Sequence, residues 1–189
     1  MNRDTAWEIL TEYTKSDSLR RHALTVEAVM RHFAKAAGED EEAWGIAGLL
    51  HDFDYEIHPT LDNHPQDGEP ILRERGVPEA IRKAILGHAP HTGVARETLM
   101  AKTLFAVDEL SGLVYAVALV RPSKSIHDVK PKSVKKKMKD KSFAAKVSRE
   151  EIRQAMEELG VDPTEHIRNV IDGMRSEAEA IGLAGGEAG

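Results

Sequence analysis

The sequence predicts an all-α chain, and three observations predict it. Apolar residues recur at three- and four-residue steps in one segment after another. The breaks between those segments hold Gly, Pro and residues suited to capping a helix. No stretch alternates polar and apolar residues as a half-buried strand does, and there is neither an internal repeat nor a coiled-coil heptad.

Taken in order, Asp4 is placed to cap a first helix with Trp7, Ile9, Leu10 and Tyr13 on a rough apolar face. Ser16 or Ser18 opens a second helix that runs to Gly38. Its Leu19, His22, Val26, Val29, Met30 and Phe33 share the inward stripe, while His32 falls off it. Glu41 to Phe53 forms the third, where Trp44, Ala47, Gly48 and His51 lie on one face and the small residues permit a close helix crossing. A polar, irregular stretch follows from Tyr55 to Pro70, with His58-Pro59 and His64-Pro65 inside it. Asp67 is placed to cap a short helix containing Ile71 and Leu72 and ending at Gly76. Val77-Pro78 starts the next, whose Ile81, Ala84, Ile85 and His88 fall at i, i+3, i+4 and i+7 before Pro90 stops it. A long helix is expected from near Arg96, with Met100, Leu104, Val107, Asp108 and Ser111 on one stripe. Beyond Val120, Arg121-Pro122-Ser123-Lys124 begins a loop, and Ser133 is placed to cap a basic helix through Met138 or Phe143. Ser148 and Glu151 form a capping box for a helix to Leu159, ended by Gly160. Asp162-Pro163 opens a last helix reaching Ile181, and residues 183–189 are expected to be disordered.

With 189 residues, 41% of them hydrophobic, the chain is large enough for one domain with a real core. We expect residues 1–120 to form one helical domain and 121–182 to add a basic segment and C-terminal helices packed on it. The absence of cysteine excludes disulfides, zinc–thiolate sites, iron–sulfur clusters and cysteine nucleophiles, so any metal must be held by nitrogen and oxygen. MNRDTAWEIL is charged too early for a signal peptide, and no apolar run approaches the roughly 20 residues that span a bilayer. A cytoplasmic protein without a membrane partner is expected. The net charge of −6 is uneven: ten Lys/Arg face only Asp128 and Asp140 between Arg121 and Lys146. Such a block suits a polyanion or is simply a solvated helix face.

The chemistry concentrates at His22, His51-Asp52, His64, His88 and Asp108, each on an inward face or at the end of a separate segment. Any one of them has an ordinary explanation. A core histidine can bond a backbone carbonyl, and a stripe aspartate can face an arginine, although a buried anion without a cation is costly. Recurring together, they point to a divalent metal. Imidazole with carboxylate suits iron, manganese, cobalt, nickel or zinc, with magnesium where carboxylate dominates, and argues against calcium.

The order His…His-Asp…Asp, carried here by His22, His51-Asp52 and Asp108, resembles the HD superfamily of metal-dependent phosphohydrolases. The match spans roughly residues 16 to 115, with LLHD closing one helix and AVDEL inside a later one. The resemblance implies a compact HD-domain helical bundle, here with a C-terminal helical extension. His64 and His88 look like the added ligands of the two-metal, HDIG-type branches, with His91 an alternative to His88. The remainder is similar to small bacterial predicted HD hydrolases of unassigned substrate. Gly-Tyr-Pro is absent, which argues against cyclic di-GMP hydrolysis, and Tyr55 stands where many relatives carry the lysine of His-Asp-x-x-Lys.

By this resemblance the expected activity is hydrolysis of a phosphate ester or anhydride, with a small phosphorylated substrate such as a nucleotide and one or two divalent ions. Asp52 bridges in that picture, Asp54 or Glu56 handles the proton of water, and Arg121 and Lys124 neutralise phosphate unless they are ordinary exposed loop residues. The same six ligands also serve HD-type mixed-valent di-iron oxygenases. A third reading is a non-catalytic scaffold whose lysine block binds RNA. Lys130, Lys132, Lys135, Lys136, Lys137, Lys139 and Lys141 lack interleaved aromatics, so nucleic acid is not the expected partner.

Overall fold

A computed structural model describes residues 1–185, and it is all-α: nine helices and no strand among the described residues. No helix in it is long and apolar enough to cross a membrane. The order is α1 (Arg3–Tyr13), α2 (Asp17–Ala37), α3 (Glu41–Leu50), α4 (Glu69–Glu74), α5 (Glu79–His88), α6 (Leu99–Leu119), α7 (Pro131–Met138), α8 (Arg149–Leu159) and α9 (Pro163–Ser176).

Helix α6 is the axis of the bundle. Leu104, Val107, Leu110, Leu113 and Val114 are all fully buried, because α2, α5, α8 and α9 pack around it. A helix apolar on most of its circumference is stable only when surrounded in this way. Helix α2 is the second hub, lying against α3, α6 and α9. The α2–α3 crossing is close: a Cβ added at Gly48 would stand 2.8 Å from the Val26 carbonyl oxygen, so glycine is what lets the two backbones meet. Residues from both halves of the chain, among them Leu49, Leu104, Val134, Ile152 and Ile171, belong to one hydrophobic core.

Most element boundaries differ from the expected ones by a few residues, each for a local reason. Asn2, rather than Asp4, caps α1 by accepting from the Thr5 amide at 2.9 Å. Helix α2 opens behind Ser16, whose hydroxyl meets Ser18 instead of a backbone amide. Asp67 does not cap α4; its carboxylate accepts from Asn63 at 2.6 Å, and Gly68 takes the cap position. Arg96 lies before α6, which Thr98 caps; the Arg96 guanidinium instead joins the Gly87 carbonyl to Glu158. Ser133 lies inside α7 and accepts from Arg121, while Pro131 occupies the first turn. The Ser148 cap of α8 is present, its hydroxyl accepting from the Glu151 amide.

Helix α9 stops at Ser176, and the chain turns to bury Ile181 and Leu183. The disorder expected from residue 183 is therefore corrected for 183–185. Ile126 donates to the Leu183 carbonyl and Ala184 pairs with Ser125, so an apolar side chain and two backbone groups hold this segment. Residues 186–189 lie outside the described residues.

Candidate metal centre

Helix α3 ends at Leu50, three residues before the expected Phe53, and that early stop is what makes the site. His51 occupies the C-cap, where its Nδ1 donates to the Gly48 carbonyl at 2.7 Å. A carbonyl in the last turn of a helix has no intrahelical partner, and a histidine side chain can satisfy it. At the end of α5, His88 does the same with the Ile85 carbonyl. His64 lies in the irregular stretch before α4, and its Nδ1 donates to Asp54 Oδ1 at 2.8 Å. In all three rings the Nδ1 proton is thus committed, and neutral imidazole turns an unprotonated Nε2 inward.

What those nitrogens face is other acceptors. His51 Nε2 lies 3.2 Å from His22 Nε2, 3.3 Å from Asp108 Oδ1 and 3.4 Å from Asp52 Oδ2. His22 Nε2 is 3.0 Å from Asp108 Oδ1. On the other side of the Asp52 carboxylate, Oδ1 is 3.1 Å from His64 Nε2 and 3.4 Å from His88 Nε2. The six side chains form two ligand groups, His22/His51/Asp108 and Asp52/His64/His88, with the other Asp52 oxygen reaching the first group.

A cation is required among so many lone pairs, whether a proton or a metal. The protonic answer is visible in the pKa values. Burial alone would lower that of His51, but Asp52 and Asp108 outweigh it and raise the pKa well above the ordinary value. His64 is likewise opposed by burial, yet its bonds to Asp52 and Asp54 push it up to about 9. Burial works against the ionised forms of Asp52 and Asp108 too, and the charge of His51 overrides it, holding both carboxyls well below the usual range. The spacing also fits a metal. Bonds of about 2.1 Å separate neighbouring ligand atoms by roughly 3.0 Å in an octahedron and about 3.4 Å in a tetrahedron. The distances of 3.0–3.4 Å among His22, His51 and Asp108 fall in that window. The clusters are compatible with divalent metal binding.

Both groups open into a cavity of about 360 Å³ whose walls include Tyr55, Leu61, His91, Glu109, Lys146 and Glu151. Tyr55, at the position of the absent lysine, stands edge-on to His64 with ring centroids 5.3 Å apart. Glu109 follows Asp108 on α6; burial and the Asp108 charge push its carboxyl up to about 7, against the Ser148 amide that it accepts from at 2.7 Å.

The family model for the HD domain matches residues 19–113, and those bounds contain all six candidate ligand side chains. The chain belongs to the HD domain family. Comparison with curated proteins and with solved structures gives no significant match. Four side chains expected to serve the reaction do not line the cavity. Glu56 is exposed at the start of α2, where it accepts from the Lys15 and Ser16 amides at 2.7 and 2.9 Å; those bonds also lower its pKa. Asp54 is fully buried behind His64, which it holds through Oδ1, and its second oxygen lies 3.3 Å from His58 Nδ1. Arg121 bonds Ser133, and neither it nor Lys124 lines the cavity. His91 lines it, but its Nε2 donates to the His64 carbonyl at 2.8 Å, which leaves His88 in the ligand group.

The sequence reading missed Glu109, Lys146 and Glu151 as cavity residues. Adjacency to Asp108 in AVDEL was a usable signal for Glu109. Nothing in the lysine-rich segment distinguished Lys146 from its neighbours.

Proposed function

We propose that the chain is a metal-dependent phosphohydrolase of the six-ligand, HDIG-type arrangement, acting on a phosphate ester or anhydride of a small molecule such as a nucleotide. The observation that supports it best is the position of Asp52, whose two oxygens reach two separate ligand groups. A carboxylate so placed suits a pair of cations set for in-line displacement at phosphorus. Bound divalent ions would supply Lewis-acid polarisation of a phosphoryl oxygen and acidify water near neutral pH. His22, His51, Asp52 and Asp108 would hold the first ion, with His64 and His88 completing the set for a second through Asp52.

The chain's own contribution is preorganisation. Backbone carbonyls and Asp54 fix the rings of His51, His88 and His64, so their nitrogens need no reorientation when substrate arrives. The acidic wall of Glu109 and Glu151 offers groups able to exchange a proton at the cavity mouth. Imidazoles and carboxylates in these proportions suit manganese, iron, cobalt, nickel or zinc, and magnesium less well.

The test is metal content by elemental analysis, followed by a panel of nucleotides and phosphate esters with each of those ions. We expect His51→Ala and Asp52→Ala to lose both bound metal and phosphate release while the helical spectrum persists. Unchanged phosphate release in both variants would refute the assignment. Oxygen consumption by the iron-loaded protein without phosphate release would favour the oxygenase reading instead.

A further inference from the structure

The cavity is strongly acidic for a site meant to receive an anion. Beyond the ligands Asp52 and Asp108, its wall carries Glu109 and Glu151, and Lys146 is the one Lys or Arg among its described lining residues. Of the lysine-rich segment, Lys135 bonds the Thr164 hydroxyl at 2.9 Å, and Lys137 meets Asp140 at 3.1 Å with its ammonium 4.3 Å from the Phe143 ring centroid. Lys146 alone of the block faces the site.

The loop that presents it is fastened at many points. Arg149, the first residue of α8, reaches back across it. Its Nη1 donates to the carbonyls of Ala144 at 2.6 Å and Val147 at 2.8 Å, and its Nη2 to those of Asp140 at 3.3 Å and Phe143. Asp140 Oδ1 accepts from the Ser142 hydroxyl and from the Ser142 and Phe143 amides. Ala144 holds a left-handed φ of 44°, which a residue with a Cβ adopts only when its surroundings impose it. At the far end, the Ser148 amide donates to Glu109, the residue after Asp108, so loop and metal centre share a fixed point. Four carbonyls on one guanidinium make a rigid turn from a segment whose composition suggests a floppy one.

We propose that Lys146 is the phosphate-binding cation of the substrate site, presented at the cavity wall by the Arg149-fastened loop. This rests on the phosphohydrolase reading. It assigns substrates whose anionic charge extends past the phosphoryl group at the metals, with a second phosphate reaching Lys146. An ammonium here offsets Glu109 and Glu151 for an incoming polyanion and acts on binding, in ground state and transition state alike.

The probes are inorganic phosphate and pyrophosphate, titrated calorimetrically into the metal-loaded protein. Lys146→Gln should weaken pyrophosphate about tenfold, and phosphate less; Lys146→Arg should keep most of the affinity. Lys139→Gln, on the same segment but outside the cavity, should change neither. With any substrate found by the panel, Lys146→Gln should raise KM and leave kcat within about threefold. The inference is overturned if wild type binds neither probe, if Lys146→Gln binds pyrophosphate as wild type does, or if Lys139→Gln weakens it equally. These titrations need no turnover, so a protein that binds pyrophosphate through Lys146 but hydrolyses nothing in the panel would refute the activity and not the site.

Discussion

Asp54→Ala should separate the two halves of the candidate metal centre. Asp54 is wholly buried and does not line the cavity; its Oδ1 accepts from His64 Nδ1 at 2.8 Å. Removing it frees the His64 ring to rotate and takes away the carboxylate that favours the Nδ1–H tautomer, with Nε2 free to ligate. Loss of such a partner typically weakens metal binding 10- to 100-fold, or about 1.4–2.7 kcal/mol. The damage should be confined to one group, because Asp54 makes no hydrogen bond with His22, His51 or Asp108. Titration with cobalt, followed by calorimetry and by its absorption bands, should show the weaker of two events shifted by that factor and the tighter one unmoved. A thermal melt run in parallel checks that the fold survives. Equal weakening of both events, or of neither, would refute the claim that, of the six clustered side chains, Asp54 orients His64 alone.

Gly68→Ala should produce a milder version of the same metal phenotype without removing the charge, because its Cβ would come within 2.6 Å of Asp54 Oδ2; cobalt affinity again decides. Gly48→Ala should destabilise by about 1–3 kcal/mol in urea unfolding, since the new Cβ meets Val26 backbone that cannot swing aside. The metal-free protein should lose stability as pH rises from 6.5 through 9. His64 has a folded pKa raised to about 9, so its paired, protonated form stabilises fully below the unfolded value of about 6.5 and is lost on passing 9, a change of about 3 kcal/mol at most. Urea midpoints across that range measure it, and protein preloaded with metal should not show the fall. His166 works in the opposite direction. Burial lowers its pKa while Nε2 donates to the Ala106 carbonyl, so its contribution is present above about pH 6.5 and lost as pH falls; His166→Gln should flatten urea midpoints between pH 7 and 5.

The clustering of these side chains was legible because helical periodicity sets direction. His22, His88 and Asp108 fall on apolar stripes, and a residue in such a stripe must face the core whatever its polarity. His51 was legible for the same reason, although it caps a helix expected to continue. Nearness along the chain was a poorer guide to which side chains line the cavity. Glu56 is four residues from Asp52 and clamps the start of α2; Arg121 follows the Asp108 helix and turns to Ser133. Loop directions are decided by individual side-chain partners, and Lys146 is the clearest instance: its loop is held by Arg149 gathering four nearby carbonyls and by Glu109 accepting from the Ser148 amide across 39 residues, pairings that no periodicity announces.

His51 is at once the last hinge of α3 and a proposed ligand, and this ties two motions together. Its ring cannot leave the centre without releasing the Gly48 carbonyl, and the end of α3 cannot fray without dragging the ring away. Opening of that last turn and escape of an ion become one event with one free energy. The amides at the end of α3 should then exchange with deuterium at a rate set by occupancy of the site, so a backbone measurement would read out ion binding with no substrate in hand.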